Sequence, residues 1–325
     1  MFTAPMPIDV PATSLRGLAA RFAATVRQAM AVLTRHQAPV IAAPMPAPVA
    51  APVPVPRRDG AVPLIGAAVG PGRANRRADV AMVQRLIEAA RAGGALPPAP
   101  PLAADGAFGP ATAAALADAQ RALTGGTDGA ADPGGALIAA LRAVAMPQGP
   151  SMQLLRLLWP SAPAGRLARL GQPLLAMMAR RGIASDLRLA HFLTQIGHES
   201  GQLRWLEELA SGAAYEGRRD LGNTRPGDGK RFKGRGLIQL TGRANYASFG
   251  AAMGCAAELL ADPALVADDA SLAVETAGWF WDANGLSPLA DRDDLAAVTQ
   301  RINGGLNGLM ARAAMLARAK ALLGL

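Results

Sequence analysis

Residues 185–201, SDLRLAHFLTQIGHESG, decide how this chain is read. Leu189, Phe192, Leu193 and Ile196 recur at three- and four-residue spacing, the period of one helix face, so a helix is expected over Leu187–Ser200 with Ser185 or Asp186 as its N-cap. Three residues further along the same apolar stripe comes Glu199. A carboxyl where the pattern calls for an apolar group is expected to be desolvated, which favours its neutral form and lets it donate a proton near neutral pH. The plainer alternative is a structural glutamate paired with one of the many arginines.

Downstream, Gly201 offers a helix stop. The next acids are Glu207 and Glu208, in WLEEL. On a continuous helix, nine residues at about 100° each would put Glu208 on the far side and roughly 13 Å along the axis from Glu199. If the chain instead folds back at Gly201, two carboxyls can face each other across a cleft. Acids about 6.5 to 9.5 Å apart are what inverting glycosidic hydrolysis uses, one protonating the leaving oxygen and one activating water. In RFKGRGLIQLTGR (231–243), Ile238 and Leu240 alternate with Gln239 and Thr241, which predicts a short extended piece with a polar ledge on one side. A helix carrying Leu295, Val298 and Ile302 is expected to stop at Gly304-Gly305 and expose Asn303.

Other chemistries fit poorly. A zinc HExxH would need a histidine at 202, where Gln202 stands. The run Gly197-His198-Glu199-Ser200-Gly201 has serine fourth, not third as a GxSxG elbow requires. His191 and His198 share a helix and His36 lies far away, so no metal is expected.

At 325 residues the chain has material for two domains. Residues 1–37 contain an amphipathic helix (Leu15, Leu18, Phe22, Val26, Met30, Leu33), which could pack on the protein, on a partner or on an anionic membrane. Residues 38–61 are an Ala/Pro/Val linker, too proline-broken to span a membrane. Residues 62–146 form a three-helix candidate, with Asp79 as a possible first cap, a turn at Asp105-Gly106 and a second at Asp128-Gly129. All four Trp and both Tyr fall in residues 151–325. The single Cys255 excludes an intrachain disulfide and reads as core. A net charge of +9 favours a polyanionic partner. The segment 218–243 carries eight Lys/Arg against Asp220 and Asp228, yet its only aromatic is Phe232, so nucleic acid is not expected and an acidic wall polymer is.

Two stretches carry resemblances. VGPGRANRRADVAMVQRLI, then DGAFGPATAAAL with Gln120, then TDGAADPGG resemble a peptidoglycan-binding three-helix domain. AHFLTQIGHESG, RFKGRGLIQLTGRANY and RINGGLNG, in that order, resemble glycoside hydrolase family 19, the chitinase-like family that includes phage endolysins. This implies a mainly α fold: a lysozyme-like helical catalytic domain with a small β element, beside the three-helix domain. It also implies that Glu199 is the general acid, that Glu208 is the base with Glu207 as rival, and that Thr241 positions the water. His198, Gln239, Asn245, Tyr246 and Asn303 are implied as substrate contacts. The expected function is inverting cleavage of the β-1,4 bonds of peptidoglycan by a monomer without cofactor. Chitin hydrolysis and a non-catalytic wall-binding role are the alternatives. With no clean signal sequence before it, the enzyme is expected to be made in the cytoplasm and to act on the wall after release.

Overall fold

A computed structural model describes residues 63–146 and 149–325. The N-terminal amphipathic helix and the Ala/Pro linker fall outside the described residues. Among the described residues the fold is mainly helical, with isolated β-bridges that include Val69 with Ala131 and Glu207 with Arg235. Among the described residues, no helix is long and apolar enough to cross a membrane. The chain divides into two compact units. The described part of the larger is 63–146, 149–209, Arg235–Gln239 and Val266–Leu325, and that of the smaller is Ala210–Gly234 with Leu240–Leu265.

The larger unit begins with three helices, α1 (Arg77–Ala92), α2 (Pro110–Leu123) and α3 (Ala136–Ala145). Asp79 does not cap α1, which starts at Arg77; it lies in the first turn and accepts the N–H groups of Gly66 and Ala67 at 2.8 and 3.0 Å. Each Asp-Gly turn is read by a helical glutamine. Gln84 donates to Asp105 (3.0 Å) and accepts from Gly106 N–H (2.9 Å). Gln120 does the same to Asp128 (2.5 Å) and Gly129 (2.7 Å). One clamp therefore occurs twice, and in each the aspartate also accepts the N–H two residues on, which satisfies buried polar groups without any sheet.

Next come α4 (Met152–Leu158), α5 (Ala164–Arg180) and α6 (Asp186–Glu199). The Ser185 hydroxyl caps α6 by accepting from Arg188 N–H, and Leu189, Phe192, Leu193 and Ile196 are buried, as their spacing predicts. From this stripe Phe192 meets Trp281 of α10 (Ala270–Ala283) edge-on at 5.2 Å. The unit closes with α11 (Ser287–Asp291), α12 (Leu295–Asn303) and α13 (Leu309–Leu323), and α13 runs along α6. Gly197 makes that approach possible, because a Cβ there would lie 2.2 Å from Trp159 Nε1 and 2.8 Å from Met315 Sδ.

In the smaller unit, α7 (Asp228–Arg231), α8 (Arg243–Met253) and α9 (Ala256–Ala261) surround a buried ion pair. Both oxygens of Asp228 engage the Arg243 guanidinium, which holds the Asp228 carboxyl below the usual carboxylate range. Arg243 also lies 4.5 Å over the Phe232 ring. Cys255 is buried.

Candidate active site

Helix α6 ends on Glu199 because the next four residues turn the chain out of it. Ser200 returns its hydroxyl to Ile196 carbonyl at 2.7 Å, and Gly201, Gln202 and Leu203 then take φ of 57°, 59° and 66°. A left-handed conformation costs a non-glycine residue roughly 1–2 kcal/mol, so two such residues in a row need support. They have it: Gln202 N–H donates to Gly197 carbonyl (2.7 Å), its side-chain oxygen accepts from Ser161 N–H (2.9 Å), and Leu203 N–H donates to the Ser200 hydroxyl (2.9 Å). Leu203 is fully buried and anchors the reversal. The chain then leads through half-exposed Trp205, whose indole lies on Gly201, to Glu207 and Glu208. The turn expected at Gly201 is thus a strained left-handed run of three residues.

Glu199 does not sit among apolar groups alone. Its carboxylate, 21% exposed, pairs at 2.5 Å with Arg312, whose side chain is 2% exposed. The same guanidinium donates to Gln195 on α6 and to Asn307 carbonyl (3.4 Å), and Gln195 in turn donates to Thr299 at 3.2 Å. Of the two readings of Glu199, the apolar environment is corrected and the glutamate paired with an arginine is what the structure contains. Arg312 shares a helix face with buried Leu316 and Ala319, a charge on a buried stripe like Glu199 itself. That pattern was the available signal for it.

A buried cation held by one carboxylate and two neutral acceptors is costly to remove, because its partners stay behind unpaired. Arg312→Met is expected to lower unfolding stability by about 3–5 kcal/mol. Urea melts check this, and a loss below about 1 kcal/mol, the size of an exposed pair, would contradict the structural role of Arg312.

The loop after α12 wraps the same corner. Asn303 donates to Asn307 carbonyl (3.0 Å) and accepts from Gly305 N–H (2.9 Å), so the side chain expected to be displayed is half-buried and clips its own loop. His198 lies against Gly308, where a Cβ would be 2.5 Å from Nε2. Burial, and then the nearby Arg312 charge, push the His198 imidazole below its ordinary 6.5. The unfolded chain therefore takes up the proton first as pH falls, and stability should be full above about pH 6.5 and decline below it. His198→Gln is expected to flatten that decline in melts taken across pH 5–7. An unchanged slope would remove His198 as its source.

Glu207 and Glu208 part company. Glu207 bridges to Arg235, its Oε1 accepting from Nε at 3.0 Å and Nη2 at 2.9 Å, and its side chain is 45% exposed. Glu208 is half-buried on the neighbouring position, where an extended chain turns its side chain the other way. The extended piece expected at 237–241 is instead a turn over 236–239. Gly236 has φ 78° and no room for a Cβ beside Thr276, Leu237 N–H is held by Ala273 carbonyl, and Gln239 has φ 56° with its amide donating to Gly236 carbonyl at 3.2 Å. A period of two in sequence cannot become a strand when its first residues are pinned to a helix end.

Thr241, Asn245 and Tyr246 belong to the smaller unit. Asn245 donates to Thr241 carbonyl at 2.8 Å across the first turn of α8. Tyr246 corrects an expectation: it is fully buried, its hydroxyl donates to Lys233 carbonyl at 2.9 Å and its ring packs on Phe232, so it is a core strut and not a sugar contact. Among the described residues, no three His, Cys, Asp or Glu gather as a metal site would need.

A family model described as chitinase class I matches residues 188–293. A glycosyl hydrolase family 19 domain-containing protein of Haemophilus influenzae is 34% identical over 169 residues, covering 42% of this chain and 81% of that protein. An endochitinase of Arabidopsis thaliana is 36% identical over 127 residues, 39% of this chain and 42% of its own length, so the chain spans less than half of that relative. Among solved structures, chitinase C of Streptomyces griseus HUT6037 is similar at 24% identity, covering 54% of this chain and 76% of that one with a TM-score of 0.45. A bacterial family 19 chitinase is similar at 26% identity, covering 54% and 95% with a TM-score of 0.44. Identity of that level across most of the Haemophilus protein, with the family model falling on the segment that starts in α6, assigns the chain: it belongs to glycoside hydrolase family 19.

Proposed function

We propose that this glycoside hydrolase cuts the β-1,4 bonds of bacterial peptidoglycan as an endolysin does, by inversion. Glu199 is the general acid, Glu208 the base, and Thr241 the residue that positions the water; Gln239, Asn245, Asn303 and His198 line the path of the sugar. The acid role draws support from the way α6 ends, with a partly exposed carboxyl fixed on a rigid helix and a second acid-bearing segment reached through a strained turn. Fixed geometry of this kind is what proton transfer in a two-carboxylate site needs.

The observation that carries the substrate class is the folded segment 63–146, with its two Gln/Asp-Gly clamps, standing ahead of the hydrolase. We read it as the wall-binding module, which raises the local concentration of strand at the catalytic residues. On this reading the enzyme works on the wall after release from the cytoplasm. Chitin is the second reading, favoured by the plant relatives named as endochitinases.

The test pairs two assays on the full chain: clearing of outer-membrane-permeabilised bacteria, and release of reducing ends from chitin oligomers. Clearing is expected. Activity on chitin oligomers with none on the bacteria would overturn the peptidoglycan assignment. Mass spectrometry of the wall products then names the bond, since the sugar left at the reducing end identifies it.

A further inference from the structure

Within the smaller unit, one loop forms an open hollow of about 600 Å³, with Glu216, Arg219, Asn223, Thr224, Arg225 and Pro226 in its wall. The loop is closed at its base by Glu216, whose two oxygens accept the N–H groups of Gly227 (2.6 Å) and Gly229 (2.8 Å). A Cβ on Gly229 would lie 2.5 Å from Glu216 N, so the closure needs glycine there. The hollow is therefore held in shape by its own backbone.

Its wall carries one acid, Glu216, against two cations, Arg219 and Arg225, so the balance is positive. Each nearby acid is already engaged: Glu216 by those two amides, Asp220 by Arg218 at 2.7 Å, and Asp228 by Arg243 and by Arg225 N–H. Arg219 and Arg225 are exposed, and neither forms a direct ion pair among the described residues, although the Arg225 charge also helps hold Asp228 ionised. Two fork-shaped cations at a hollow whose loop is closed by its own backbone suit planar carboxylates, which each guanidinium can grip through two hydrogen bonds.

The loop is also tied to the segment that carries Thr241. Asn223, fully buried, donates to Tyr215 carbonyl and accepts from Arg243 N–H, both at 2.9 Å, two residues past Thr241. A Cβ on Gly242 would lie 2.7 Å from Leu221 carbonyl, so loop and segment touch backbone to side-chain position with no slack. Whatever binds at the hollow is bound next to the Thr241 segment.

We propose that Arg219 and Arg225 bind the carboxylates of the stem peptides that hang from peptidoglycan glycan strands. This makes the loop the element that separates a charged wall strand from uncharged chitin, and it rests on the reading of the enzyme as a peptidoglycan hydrolase. The basic excess of residues 218–243 then has a specific use in two of its arginines, while Arg218 and Arg243 serve the fold.

The test uses soluble wall strands and the same strands with their carboxylates converted to amides by carbodiimide and ammonia. Reducing-end release is followed at low salt and at strand concentrations below KM. Wild-type enzyme is expected to prefer the native strands, and R219Q/R225Q to lose about tenfold in kcat/KM on them, the size of two exposed charge contacts, while matching wild type on amidated strands. R219K/R225K is expected to keep part of the preference, since it keeps the charge and loses the fork. Both positions are exposed, so folding is not at stake. Equal wild-type kcat/KM on the two strands, or equal losses by R219Q/R225Q on both, would overturn the site and leave the peptidoglycan reading standing. Wild-type enzyme that cuts chitin oligomers and neither strand overturns that reading and the site with it.

Discussion

Glu199→Gln is expected to lower kcat by about 10² to 10⁴, the range that a positioned proton donor contributes. The substitution keeps the shape and a hydrogen-bond acceptor for Arg312 but removes the transferable proton. It also removes the counter-charge of a buried guanidinium, so part of any loss could come from unfolding. Circular dichroism and a melt of the same preparation separate the two. A folded protein with activity within a few-fold of wild type would show that the chemistry does not run through Glu199.

The second large effect distinguishes neighbours. Glu208→Gln is expected to cost about 10² to 10⁴ in kcat as well, since activation of water needs the carboxylate. Glu207→Gln is expected to leave kcat within a few-fold, because Arg235 engages Glu207 through Oε1 and an amide oxygen can still accept there. Its cost lies in stability, at about 1 kcal/mol for a partly exposed pair. Rates measured on folded protein decide between the two. If Glu207→Gln is the slower enzyme, the base is Glu207 and the two glutamates exchange roles.

What the sequence makes legible follows from the range of the interactions. Helix α6, its Ser185 cap, its buried face and its end before Gly201 are local, set by spacing and by residues within one turn, and they fold as read. The stop of α12 at Gly304 is local in the same way. Arg312 was not legible as the partner of Glu199, because the two lie 113 residues apart and only the packing of α13 on α6 brings them together. The turn at 236–239 defeated a two-residue alternation for a related reason: its shape is imposed by Ala273 and Thr276, more than thirty positions downstream. Tyr246 was misread because a tyrosine beside polar motif residues looks the same in sequence whether its hydroxyl meets a sugar or Lys233 carbonyl.

Those long-range contacts also bear on mechanism. A carboxyl fixed by a buried cation has little freedom to reorient, which suits a group that must meet one glycosidic oxygen in one geometry. The left-handed run at 201–203 stores strain between the helix that ends in Glu199 and the segment that carries Glu208.

The most direct measurement of the central claim, hydrolysis by an acid and a base on opposite faces of the bond, is the anomeric configuration of the first product. Proton NMR during the opening seconds to minutes of cleavage of soluble β-1,4 glycan strands reads it before mutarotation mixes the anomers. Water activated by Glu208 opposite a leaving oxygen protonated by Glu199 yields the α-anomer first. Initial appearance of the β-anomer would mean retention through a covalent or neighbouring-group intermediate, and would contradict the two-carboxylate inversion proposed for this site.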